Sequence, residues 1–312
     1  MKMIFLTFLF FCNVLFSQSV QIPSYYKSDP EFTKAVETIV TDLELDKNFD
    51  VGDDGTEQIS LAVIDLYAKE PVFAGVHFDN FIYPASVYKM YVAAEVLHQI
   101  SQGQYSLDSM LIVRSPNDVD RSKEIKSDPR PLLHGGDTVS VNYLLDLMIT
   151  RSDNSAANCL IDLAKRENIN ALLLKNNWNG SEVTRKYLSR KFEDPGYEKI
   201  RGTETCALHA ADFMYRIDKN QLVNSWVSEQ MKSFLGRQLD NTKYFTGLPP
   251  NTMFYHKTGW YSFWTHDVGI VDDGDVRYII ACFLPLTEEL ALPKFKALAE
   301  RIHQLIRIRH SK

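Results

Sequence analysis

Phe81-Ile82-Tyr83-Pro84-Ala85-Ser86-Val87-Tyr88-Lys89-Met90-Tyr91-Val92-Ala93-Ala94-Glu95-Val96-Leu97 is the stretch on which the reading of this chain turns. From Pro84 onward only Lys89 and Glu95 carry charge, and most of the other residues are apolar. A helix that is apolar nearly all round is a buried one, so the segment predicts a buried helix from about residue 84 to 100. Inside it the Lys89 amine is partly desolvated, which disfavours the ammonium form. Ser86 lies three residues earlier, on the same face and one turn away. It also falls near the helix start, where unpaired N–H groups and the positive dipole end stabilise an oxyanion. A weak alcohol nucleophile needs that pairing of base and oxyanion site. Ser-x-x-Lys alone remains a weak signal: Ser24-Tyr25-Tyr26-Lys27 repeats it in a segment that reads as a tail, and a lysine in a buried helix also snorkels or pairs with an acid.

Outward from this helix, periodicity divides the chain. Phe32, Ala35, Val36, Ile39, Val40 and Leu43 predict a first amphipathic helix. Ile59 to Tyr67 and Phe73 to Phe78 read as paired strands. Helical patterns fill the middle, one capped by Ser140 and the next marked by Ala157, Leu160, Ile161 and Ala164, before a polar loop from about Arg190 to Gly202. Strands return at Thr252 to Tyr261, Val268 to Val271 and Val276 to Leu284, and Phe295 to Ile306 gives a last helix. Strands at both ends with helices between them predict an α/β lobe, about 30–85 and 225–312, and an inserted helical lobe, about 86–224.

Two further segments carry chemistry. Ser152-Asp153-Asn154 sits between two helical patterns, where a short loop can aim Ser and Asn into a cleft; the same residues also suit a capping turn. Lys257-Thr258-Gly259 lies late in a strand, where Lys and Thr can hold an anionic carboxylate and Gly lets a ligand approach the backbone, though an edge strand with a solvated Lys reads the same way. Their joint occurrence in the order SxxK, SDN, KTG is far more specific than any one of them.

The set resembles the signature of class A β-lactamases and penicillin-recognising serine hydrolases. Phe81 to Ser86, Ser152 to Asn158, Gly247-Leu248-Pro249 and Thr265-His266-Asp267 look like further parts of that family, so the resemblance covers nearly everything from about residue 30 onward. It implies a β-lactamase/transpeptidase-like α/β (α+β) fold: an antiparallel sheet of about five strands flanked by N- and C-terminal helices, plus the all-helical lobe. It implies that Ser86 attacks the lactam carbonyl and Lys89 helps remove its proton. Ser152 and Lys257 would pass a proton to the leaving nitrogen, and Asn154 would bond the substrate's side-chain amide. Thr258 and Lys257 would bind its carboxylate, with the backbone N–H groups of Ser86 and Trp260 as oxyanion hole. No cofactor or metal is implied, and the expected partner is a small β-lactam or related acyl-peptide.

The chain departs from the family in the loop that should carry a Glu to activate the deacylating water. Between Leu188-Ser189-Arg190 and Thr203-Glu204-Thr205 there is no Glu-x-x-x-Asn; Glu193 is the nearest candidate, and it also reads as a solvated loop carboxylate. Gly202 stands where the family often pairs an Asp with the loop Arg. Trp260 and Tyr261 are bulky beside the KTG triplet, and His266 lies near where some relatives place an Arg for the carboxylate. A different acyl-transfer enzyme on the same fold, such as a D-alanyl-D-alanine peptidase or small amidase or esterase, and an acylated protein without turnover are the alternatives.

Composition sets the remaining bounds. A net charge of −6 with scattered positive residues excludes the basic face that nucleic acid binding demands. No zinc spacing, GxSxG elbow or glycine-rich phosphate loop is present. Lys2 followed by the apolar run Met3 to Phe16 reads as a secretion signal over residues 1–18, too short for a comfortable membrane span, and Cys12 after bulky Phe11 is a poor lipid anchor. The mature unit, 19–312, is expected to be a periplasmic or secreted monomer without a membrane anchor. Its three thiols, Cys159, Cys206 and Cys282, cannot all pair within the chain and read as buried and inert.

Overall fold

The computed structural model describes residues 20–311, so the expected secretion signal, Cys12 and Lys312 lie outside the described residues. In chain order these form β1 (Lys27–Ser28), α1 (Pro30–Asp42), β2 (Phe49–Asp50), β3 (Thr56–Glu57), β4 (Ser60–Asp65), β5 (Val72–Val76), α2 (Lys89–Ser101), β6 (Met110–Ile112) and β7 (Thr138–Ser140). There follow α3 (Val141–Thr150), α4 (Asn154–Ala164), α5 (Arg166–Lys175), α6 (Ala207–Asp218), α7 (Ser225–Leu235), β8 (Met253–Tyr261), β9 (Trp264–Asp272), β10 (Arg277–Leu284) and α8 (Glu288–His310).

The main sheet is a sandwich filling. Along β4, Leu61 and Val63 join one apolar cluster while Ala62 and Ile64 join the other, and along β10 Tyr278, Ile280 and Cys282 alternate in the same way with Ile279, Ala281 and Phe283. Strand side chains alternate faces, so both faces are covered: one by α1 and α8, the other by the helical lobe. Helix α2 runs through that lobe against α3, α4, α5 and α7, which is why its sequence has no polar stripe. The C-terminal arginines are paired: Arg301 with Asp42, Arg307 with Asp273 and Asp275, Arg309 with Asp29 and Asp65.

The structure corrects the expected sheet of about five strands. It has six, ordered β1-β5-β4-β10-β9-β8, and the extra one, β1, runs parallel to β5 where the other neighbours are antiparallel. The segment read as a tail supplies it. Tyr26 is buried, and a buried phenol needs an acceptor. Asp212 on α6 is that acceptor, taking the hydroxyls of Tyr25 and Tyr26 (2.8 Å), the indole N–H of Trp178 (2.8 Å) and Nε of Arg216 (3.0 Å). Lys27 of the second SxxK match pairs in solvent with Glu70, away from any cleft.

Removing this acceptor leaves four donors without a partner. Asp212→Ala is expected to destabilise the protein by about 2–4 kcal/mol and to make residues 20–28 the first site of proteolysis. Thermal unfolding and limited proteolysis check it; an unchanged melting temperature would show that the N-terminal strand is held by something else.

Candidate active site

The reading of a regular helix from Pro84 needs one correction. Ala85–Tyr88 form a single 3-10 turn, and the α-helix begins at Lys89. In a 3-10 turn residues i and i+3 eclipse, so Ser86 stands directly over Lys89, and their Oγ and Nζ are 3.0 Å apart. The turn enters through Ala85 at φ +45°, a strained conformation for a residue with a Cβ. Ser152 is also in the left-handed region, at φ +61°. Strain at two adjacent positions of one cleft is the pattern that functional sites share.

Both readings of Ser152-Asp153-Asn154 hold at once. Asp153 caps α4, accepting from the Ala156 N–H at 2.8 Å. That cap turns Ser152 and Asn154 toward Lys89, whose Nζ lies 2.8 Å from Asn154 Oδ1, 3.2 Å from Ser152 Oγ and within hydrogen-bond reach of the Ser152 carbonyl. From the other side, β8 brings Lys257, whose Nζ donates to Ser152 Oγ at 3.0 Å and to the Thr258 carbonyl at 2.8 Å. Three segments far apart in sequence thus converge: Ser86, Lys89, Ser152, Asn154 and Lys257 form one connected network.

Lys89 and Lys257 are fully buried. Among the described residues neither has a carboxylate within ion-pair distance, so desolvation dominates: Lys89 is pushed down to about 8 and Lys257, with Lys89 also repelling it, to about 7. Gly259 is the point where β8 meets the nucleophile. A Cβ there would sit 2.8 Å from both the Ser86 nitrogen and the Pro84 oxygen, closer than atoms can approach, so only glycine admits this contact. Thr258 is buried beside it, while Trp260 is exposed and its indole N–H donates to Glu124 at 2.8 Å across the mouth of a cleft of about 360 Å³ lined by Asp120, Ser152 and Asn154. A larger cavity, about 810 Å³, lies under residues 20–25 and shares no lining residue with this cleft.

The sequence profile of the β-lactamase enzyme family matches residues 41–306. The chain belongs to that family. No curated protein sequence matches it. Among solved structures it is similar to a β-lactamase from Sphaerobacter thermophilus DSM 20745 (TM-score 0.73, 17% identity, covering 88% of this chain and 98% of that one). It is also similar to PBP-A (TM-score 0.73, 16% identity, 92% and 100%) and to the ancestral class A β-lactamase GNCA (TM-score 0.70, 19% identity, 88% and 99%). At such identities these likenesses show a shared β-lactamase-like fold.

For a member of this family, the loop after α5 is unusual. Glu193 is not brought to the network: its carboxylate is buried and takes Arg166 at 2.7 Å, the Lys186 N–H at 2.9 Å and Arg185 at 3.5 Å. None of these partners is Ser86, Lys89 or Asn154. Glu193 ties the loop to α5, and Arg190, facing Gly202's segment without a carboxylate, donates to the Ile200 carbonyl instead. His266 is buried with Nε2 on the Tyr83 carbonyl at 2.9 Å, and burial pushes it down to about 3, so it is neutral and turned from the cleft. All three cysteines are free and buried.

Sequence reasoning missed three residues of the site. Asp120 takes Asn154 Nδ2 at 3.0 Å and the N–H groups of Asn154 and Ser155, so one amide proton of Asn154 is left for a substrate. Glu124 meets Trp260, and Tyr187 lies against Lys89. Asp120 and Glu124 belong to an irregular segment with no periodic signal, and Tyr187 stood in a loop searched only for a carboxylate.

Gly259→Ala is expected to leave the fold intact and to lower the rate of covalent labelling at Ser86 at least about a hundredfold, because the added methyl pushes β8 off the nucleophile turn. Labelling rate and circular dichroism check it; wild-type labelling would show that this contact is dispensable.

Proposed function

We propose that the protein is a class A-like serine β-lactamase-type hydrolase that opens the β-lactam ring through an acyl-enzyme on Ser86. The observation that carries this is the donor arithmetic at Lys89. The Ser152 carbonyl and Asn154 Oδ1 can only accept, and a neutral amine has two N–H bonds to satisfy them. Its lone pair is then left for the Ser86 hydroxyl 3.0 Å away. A lysine pushed down to about 8 is partly neutral at physiological pH, which suits a general base.

In acylation the Ser86 O–H bond breaks, its proton passes to Lys89, and Oγ bonds to the lactam carbonyl carbon. The developing oxyanion lies against the backbone N–H groups of Ser86 and Trp260. As the C–N bond breaks, the nitrogen takes the Ser152 hydroxyl proton, and Ser152 is reprotonated from Lys257. Lys257 and Thr258 also hold the substrate carboxylate, and Asn154 receives its side-chain amide. Water then cleaves the ester, and Oγ recovers a proton. Because acylation needs neutral Lys89, its rate should rise with pH through about 8 and then level.

A second reading is favoured by one observation: Glu193 is held in ion pairs with Arg166 and Arg185. Without a carboxylate aimed at the acyl-enzyme, the ester persists and turnover is slow. A PBP-A variant captured as an acyl-enzyme with penicillin G shows that such an ester can be long-lived in a protein of this fold. The small-substrate chemistry and the N-terminal leader place this activity outside the cytoplasm, acting on β-lactams or acyl-peptides as a monomer.

Incubation with a chromogenic cephalosporin, followed by absorbance and intact mass, separates the readings. Sustained turnover supports hydrolysis, a single burst with a persistent adduct supports the long-lived ester, and Ser86→Ala should show neither. An adduct that survives Ser86→Ala would remove Ser86 as nucleophile. Glu193→Gln is expected to cost about 1–3 kcal/mol of stability while acylation keeps its rate; a collapse of turnover at unchanged stability would instead make Glu193 the hydrolytic base.

A further inference from the structure

Lys89 is enclosed by groups from every side of the site. Asp120 and Glu124 face it from the segment between β6 and β7, Asp153 from the turn before α4, and Lys257 from β8. None of these carboxylates reaches ion-pair distance, so a proton gained by Lys89 meets no counter-ion. The group that does touch the amine is an aromatic ring: Lys89 Nζ lies 4.2 Å from the ring centroid of Tyr187. That distance is inside the range at which a ring face stabilises a cation.

Tyr187 is also held more firmly than a loop residue need be. Asn158 of α4 grips its backbone at both polar atoms, accepting from the Tyr187 N–H at 2.7 Å and donating to its carbonyl at 3.3 Å. Its ring stacks on Tyr88 with centroids 4.9 Å apart and planes 6° from parallel. Its hydroxyl donates to the carbonyl of Ala85, the strained residue just before the nucleophile, at 3.3 Å.

We propose that Tyr187 is a positioning residue for acylation: its ring face serves as the counter-group to protonated Lys89 in place of a carboxylate, and its hydroxyl pins the Ala85 turn that presents Ser86. The inference rests on the acyl-serine reading for its role in turnover, but the contact between ring and amine stands independently of any substrate. When Lys89 takes the Ser86 proton, the new ammonium is stabilised by the π face, and the base is strong enough to act without an acidic neighbour.

The test titrates Lys89 directly, by its 13Cε chemical shift in 13C-lysine-labelled protein, in the wild type, Tyr187→Phe and Tyr187→Leu, with Tyr187→Met as a second non-aromatic variant should the leucine protein not fold. Losing the ring face destabilises the ammonium, so the Lys89 midpoint should fall by about one pH unit in the non-aromatic variants and stay within a few tenths in Tyr187→Phe. The acid limb of the Ser86 acylation profile should move to lower pH by the same amount, with a maximal rate lowered about tenfold as the base weakens. A midpoint unmoved in Tyr187→Leu or Tyr187→Met overturns the proposal, as does an equal shift in Tyr187→Phe. Absence of β-lactam acylation in the wild type would sink the proposed function while the titration still decides the role of Tyr187.

Discussion

Two lysine amines buried without a carboxylate partner are the constraint around which this molecule is arranged. An uncompensated ammonium in a dry interior costs several kcal/mol, so Lys89 and Lys257 must give up protons readily, accept hydrogen bonds from few places and donate to many. The structure supplies acceptors that carry no charge: the Ser152 and Thr258 carbonyls, the Ser152 hydroxyl and the Asn154 amide oxygen. The sites of backbone strain serve the same end, since Ala85 and Ser152 adopt left-handed conformations in the two turns that aim the nucleophile and the shared hydroxyl. The sheet and the helical lobe then act as the two jaws that keep water away from both amines.

Much of this was legible in the sequence because it depends on short, local rules. The apolar run of α2 announces a buried helix, the Ser-Asp-Asn cap sets the start of α4, and the alternation along β10 places a central strand. The 3-10 character of the nucleophile turn was not legible, because it follows from β8 pressing Gly259 against Ser86 rather than from local propensity. The docked N-terminal strand escaped for a similar reason: Tyr25 and Tyr26 look like any surface pair until Asp212, far along the chain, supplies their acceptor. Tertiary contacts decide such cases, and single-sequence patterns do not carry them.

The loop after α5 shows how a motif search can look for the wrong chemistry. A carboxylate was sought there, and Glu193 is indeed present, but its oxygens are spent on Arg166, Arg185 and a backbone N–H. What the loop delivers to the site is Tyr187, anchored by Asn158, a residue of the same segment that carries Ser152 and Asn154. The coupling between that segment and the loop means that nucleophile, base and loop are positioned by one continuous set of contacts, and a change in the loop is felt at Ser86 through Ala85.

A crystal structure of the mature protein after exposure to a penicillin tests the central claim most directly. The account predicts continuous density from Ser86 Oγ to the opened ring, with the substrate carboxylate at Lys257 and Thr258 and the Lys89 amine still within hydrogen-bond reach of Ser86. Density joined to any other side chain, or an intact ring lying away from β8, would contradict it.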